Sequence, residues 1–108
     1  MLKEPADLVG REISAVAFAR DCVEFHFDGP VLRSRADPQV TVGEAVYHFP
    51  KPGSRDAICL VIGATVQSLS VDESRHLEFA TSNGCRVRLP IGAGGLLHFR
   101  ADRVLQVG

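Results

Sequence analysis

Val23-Glu24-Phe25-His26-Phe27-Asp28-Gly29-Pro30-Val31-Leu32-Arg33 is the stretch on which the fold turns. Val23, Phe25 and Phe27 alternate with Glu24, His26 and Asp28, the period-two pattern of a strand with one buried and one solvated face. Asp28-Gly29 supplies two residues that tolerate positive φ, the signature of a type I′ hairpin. A two-residue loop there fixes the register, with Phe25 opposite Leu32 and Glu24 opposite Arg33. One face then carries an apolar pair and the other an ion pair.

Working outward, residues 11 to 19 read as a preceding strand. If Arg20-Asp21 is its loop, Phe18 falls opposite Val23 and Val16 opposite Phe25, which completes a three-stranded meander. The same spacing returns later in the chain. Gly10, Ile13, Val16 and Phe18, then Val23-Glu24-Phe25, then Gly29 and Leu32-Arg33, are matched by Gly63, Val66, Leu69 and Val71, then Leu77-Glu78-Phe79, then Gly84 and Val87-Arg88. The offset steps from 53 to 54 to 55, each step falling at a turn. Ser82-Asn83-Gly84 suits a three-residue loop with Gly84 left-handed, and it sets Phe79 opposite Val87 and Glu78 opposite Arg88. Pseudo-repeats are thus expected over about 8–35 and 61–90, a packing signal before it is a chemical one.

The intervening segment, 39–63, holds further strands at Val40-Thr41-Val42 and Ala45-Val46-Tyr47-His48-Phe49, broken near Gly43. A helix is expected from Ser54 to Gly63, with Ser54 as N-cap, Asp56 in the first turn and Gly63 as stop. Pro5 to Gly10, its counterpart, has room for a single turn. After Gly92-Ala93-Gly94-Gly95, which reads as a flexible connection, the tail 96–107 adds a strand or hairpin. The expected architecture is a single α+β domain, 1–108. It is a mostly antiparallel sheet built from two pseudo-repeated three-stranded meanders with one main helix between them.

Leu8-Val9-Gly10, the Val23 to Pro30 hairpin, Ile62-Gly63-Ala64-Thr65-Val66, and Leu77-Glu78-Phe79 leading to Ser82-Asn83-Gly84 resemble small bacterial β-rich domains of unassigned function. The resemblance covers about half the chain, implies the fold, and brings no catalytic residues with it.

Bulk properties narrow the function classes. The chain has 108 residues, enough for one core but not for a separate catalytic lobe. Twelve basic and 13 acidic residues give a net charge of -1, so any attraction to an anion must be local. Met1-Leu2-Lys3-Glu4-Pro5 lacks the apolar run of a signal peptide, and no stretch approaches the roughly 20 apolar residues that span a bilayer. A cytoplasmic location with no membrane partner is expected. Cys22, Cys59 and Cys85 are odd in number and widely spaced, which fits reduced thiols.

The polar positions of the strands are the candidate sites. Glu24 and His26, with His48, His76 or His98 as a third donor, are metal-ligand types, but Cys22 and His26 lie roughly 13 Å apart along an extended strand. A solvated sheet face explains them, and neither metal nor cofactor is expected. Arg33 and Arg35, and likewise Arg86 and Arg88, share strand faces and would hold an acidic partner or phosphate, less the charge that Glu24 and Glu78 neutralise. Aromatic residues interleaved with them for base stacking are missing, which disfavours nucleic acid. Tyr47, Phe49, Leu96, Leu97 and Phe99 either close the core or form an apolar patch for a partner or a second copy. With no nucleophile and base in evident relation, no catalytic residue is assigned. The leading expectation is a non-catalytic protein-binding or accessory module, of immunity type, using Arg33, Arg35, Arg86, Arg88, Glu24, His26 and Phe99. The alternatives are a small-ligand or metal-assisted enzyme in a cleft between the repeats, and phosphate or nucleic-acid binding by the arginines.

Overall fold

The computed structural model describes residues 5–72, 75–92 and 97–100. Among these residues, nine strands form two antiparallel sheets. They are β1 (Ala15–Phe18), β2 (Val23–His26), β3 (Val31–Ser34), β4 (Gln39–Val42), β5 (Ala45–His48), β6 (Val66–Asp72), β7 (His76–Thr81), β8 (Cys85–Pro90) and β9 (Leu97–Arg100). The first sheet runs β1-β2-β3-β9 and the second β5-β4-β8-β7-β6. One helix, α1 (Ser54–Cys59), precedes β6, and a four-residue 3-10 turn, Pro5–Leu8, opens the described chain. No helix among the described residues is long and apolar enough to cross a membrane.

The hairpin turns set the registers expected from sequence. Phe18 lies opposite Val23, Val16 opposite Phe25, Phe25 opposite Leu32 and Glu24 opposite Arg33. Asp28 and Gly29 have φ of 57° and 128°, the positive values that the tight loop requires. In the other meander Phe79 lies opposite Val87 and Glu78 opposite Arg88, and Gly84 is left-handed at φ 87°. Val71 faces Leu77 and Leu69 faces Phe79. The first meander belongs to one sheet and the second to the other. β4 and β5 extend the second sheet along β8, and β9 extends the first along β3. The expected strand at Val104 to Val107 lies outside the described residues.

The sheets meet through their apolar faces. Phe25 and Phe79 touch edge to face with ring centroids 5.7 Å apart, and Phe27 meets Phe79 at 6.1 Å. Leu8, Ile13, Leu32, Ile58, Leu77 and Leu89 are fully buried around them. Tyr47, Phe49, Leu97 and Phe99 pack against this core while remaining partly exposed. At the rim, Phe18 of β1 stacks on Phe49 at 5.6 Å, and the Arg55 guanidinium of α1 lies over both rings, 5.6 and 5.1 Å from their centroids.

A short crossing joins the sheets at one end. Gly10 N donates to Val66 O and Gly63 N to Ile13 O, both at 2.8 Å. Ile13 N donates to Ala64 O at 2.8 Å and Val66 N to Arg11 O at 2.9 Å. Glu12 and Thr65 form a bridge between these pairs. Gly10 and Gly63 are both left-handed, at φ 92° and 88°, as the sharp entry into each crossing strand requires.

The helix is shorter than the sequence predicts, and its cap differs. Gly53, at φ 85°, is the N-cap, and no side chain bonds the first turn. Ser54 is the first helical residue instead, buried, with an Oγ that has no partner. Beyond Cys59 the amides of Leu60, Val61 and Ile62 bond three residues back, a tighter turn than an α-helix. The last turn is held from outside, because Asn83 Nδ2 donates to Leu60 O at 2.7 Å while Asn83 Oδ1 accepts from Thr81 Oγ1 at 2.6 Å.

Candidate functional site

β2 carries Val23 and Phe25 inward, so Glu24 and His26 stand on the outer face of the first sheet. Register aligns two rows across the four strands there. One is Ala17, Glu24, Arg33 and His98; the other is Ala15, His26, Val31 and Arg100. The two alanines leave the β1 side low, and the longer side chains gather over β2, β3 and β9.

Glu24 is the centre of the first row. Its Oε1 accepts from His26 Nε2 at 3.0 Å and its Oε2 from Arg33 Nε at 2.7 Å, a short charge-assisted bond. The Glu24 side chain is only 17% exposed. Burial pushes its carboxyl up, but the hydrogen bonds from Arg33 and His26 and their charges outweigh that, and the group sits below the usual carboxylate range. The bond to Glu24 correspondingly raises Arg33.

Arg33 also borders a cavity of about 240 Å³ between β3 and β9, lined by Val31, Arg33, His98, Phe99 and Arg100. Two guanidinium groups and an imidazole surround it. Among the described residues, the ion pairs of this face stop at Arg33, and neither His98 nor Arg100 has a carboxylate partner. The local charge is therefore positive although the whole chain carries -1.

The other expected site residues are dispersed. Arg35 lies beyond the end of β3, exposed, and does not continue the face of Arg33. It borders a second cavity of about 280 Å³, whose rim sets Arg20 and Arg35 against Asp21 and Asp37, with Cys22 and Phe49 in the wall. Arg86 and Arg88 belong to the other sheet, where Arg88 bonds Glu78 through Nε at 3.0 Å and a terminal nitrogen at 2.9 Å, and Arg86 approaches the same carboxylate at 3.8 Å. The four arginines thus do not make one surface. Phe99 stands opposite Leu32, packs against the core and remains half-buried.

Among the described residues, no three His, Cys, Asp or Glu side chains come together to hold a metal ion. His26 is occupied with Glu24, and the space between the two meanders is filled by Phe25, Phe27 and Phe79. The three cysteines are unpaired thiols.

Arg100 is the site residue that sequence reading does not single out, and His98 enters there only as a metal-ligand type. The signal was present: Leu97 and Phe99 alternate with His98 and Arg100, so a strand that turns its apolar residues inward must present the other two outward. Comparison with family models, with curated proteins and with solved structures finds no match to this chain.

Proposed function

We propose that this chain is a non-catalytic protein-binding module, an accessory protein of immunity type, that takes an acidic segment of its partner at the cavity between β3 and β9. The supporting observation is Arg100, which has no carboxylate partner among the described residues, standing with Arg33 and His98 around one concave site. An arriving carboxylate would meet the terminal nitrogens of Arg33, whose Nε is already oriented by Glu24. Preorganised guanidinium groups of this kind favour bidentate recognition of carboxylates.

The same reading takes the chain as an internally duplicated unit. Support comes from the matching registers of the two meanders and from the crossing, where each hydrogen bond has a counterpart with the halves exchanged.

A poly-glutamate peptide tests the site by calorimetry or by amide shift changes on β3 and β9. Arg33→Glu with Arg100→Glu should weaken it at least tenfold in a variant that melts normally, and Arg86→Glu should not. Equal affinity in the folded double variant would remove the β3–β9 site. Tighter binding of inorganic phosphate or single-stranded nucleic acid than of the peptide, with steep salt dependence, would instead favour the phosphate reading.

A further inference from the structure

The second cavity, of about 280 Å³, lies where the β1–β2 turn and the β3–β4 connection pass beyond the last pair of β2 with β3, Val23 opposite Ser34. Residues 20–23 and 34–37 line it, and Phe49 completes the lining. Each part is fastened. Ala19 N donates to Cys22 O at 2.9 Å and closes the turn that carries Arg20 and Asp21. Ser34, fully buried, donates from Oγ to Ala36 O at 2.7 Å and holds the bend between Arg35 and Asp37. Phe49 N donates to Pro38 O at 3.0 Å, which ties the aromatic wall to the same connection, and its ring is held by Phe18 and Arg55. The site is thus preformed, with a volume at the low end of small-molecule pockets. Its charge is balanced. Arg20, Asp21, Arg35 and Asp37 are all exposed at the rim, yet among the described residues none of the four is in an ion pair with another. A ligand that is only anionic meets two carboxylates here, and one that is only cationic meets two guanidinium groups. A small molecule that carries both charges close together satisfies all four.

We infer that this cavity binds a free α-amino acid with an apolar side chain. Its carboxylate is taken by Arg20 and Arg35, its ammonium by Asp21 and Asp37, and its side chain by the Phe49 and Val23 wall. Guanidinium forks accept a carboxylate through parallel hydrogen bonds, and an ammonium has three donors to share between two carboxylates. The cavity between β3 and β9 shares no lining residue with this one, so the two can be occupied separately.

L-Leucine is the probe. Its titration should move the amide signals of residues 20–23 and 34–37 and reach saturation. N-acetyl-L-leucine keeps the carboxylate and loses the ammonium, and L-leucinamide does the reverse. Each should bind about tenfold more weakly or worse, the cost of leaving charged hydrogen-bonding groups unmet. Arg35→Gln and Asp37→Asn, at exposed positions, should each weaken leucine by a similar factor with unchanged melting temperatures, and Arg86→Gln on the other sheet should not. A chemical readout locates the ligand. In a Cys59→Ser background, saturating leucine should slow alkylation of Cys22 by iodoacetamide, since half-buried Cys22 lines the cavity and the remaining thiol, Cys85, is buried. The inference is overturned by the lack of a saturable shift with leucine, or by equal binding of either blocked derivative. Undiminished affinity in the folded Arg35→Gln and Asp37→Asn variants, or Cys22 labelling that bound leucine leaves unchanged, overturns it as well.

Discussion

Phe25 and Phe79 meet edge to face at the centre of the core, so their side chains are not energetically independent. Phe25→Ala and Phe79→Ala should each cost about 3 to 5 kcal/mol in urea melts. The double variant should show a coupling of about 0.5 to 1.5 kcal/mol, and strict additivity would mean the rings do not share this contact. Glu24 makes a different prediction because its carboxyl is held low. Its stabilising contribution is complete above the ordinary carboxylate pKa of about 4.3 and is lost as pH falls through the lower native value. The stability gap between wild type and Glu24→Gln should therefore narrow between pH 6 and pH 3. A gap that widened on acidification would contradict the pairing with Arg33 and His26. Glu78 serves a more exposed pair, and Glu78→Ala should cost about 1 kcal/mol or less.

At the level of elements, local chemistry was legible and distant pairing was not. Asp28-Gly29 and Ser82-Asn83-Gly84 dictate backbone conformations that only a few residues adopt, which is why the registers of β2 with β3 and β7 with β8 could be read directly. No turn joins β3 to β9 or β4 to β8. Those pairings are chosen by the packing of the whole core, so the cavity beside Arg100, which depends on β9, was hidden. The helix failed at both ends for the same reason. Ser54 is drawn into the interior, and the last turn is completed by Asn83 from another element. Asn83→Ala should accordingly cost about 0.5 to 1.5 kcal/mol and increase amide exchange at the end of α1, an effect that a purely local role in the β7–β8 turn would not produce. Gly10→Ala and Gly63→Ala meet no neighbour within 4 Å, so the penalty of about 1 to 2 kcal/mol at each comes from left-handed backbone alone.

For the molecule as a whole, the two meanders are local, whereas the β3–β9 and β4–β8 pairings and the crossing between the sheets join distant parts of the chain. Each meander pairs neighbours through short loops, whereas the crossing of residues 10 to 13 with 63 to 66 closes about fifty residues of chain. That difference has a kinetic consequence. Hairpin contacts are reached with little loss of chain entropy, while the crossing must wait until both meanders present their edges. Refolding should then be limited by the meeting of two partly formed halves. Gly84→Ala, in a hairpin turn, should mainly slow folding, and Gly63→Ala, in the crossing, should mainly hasten unfolding. Stopped-flow chevrons with the opposite assignment would place the crossing early. The segment that ties the halves together is on this account the last to form and the first to part, and it sets the lifetime of the native state.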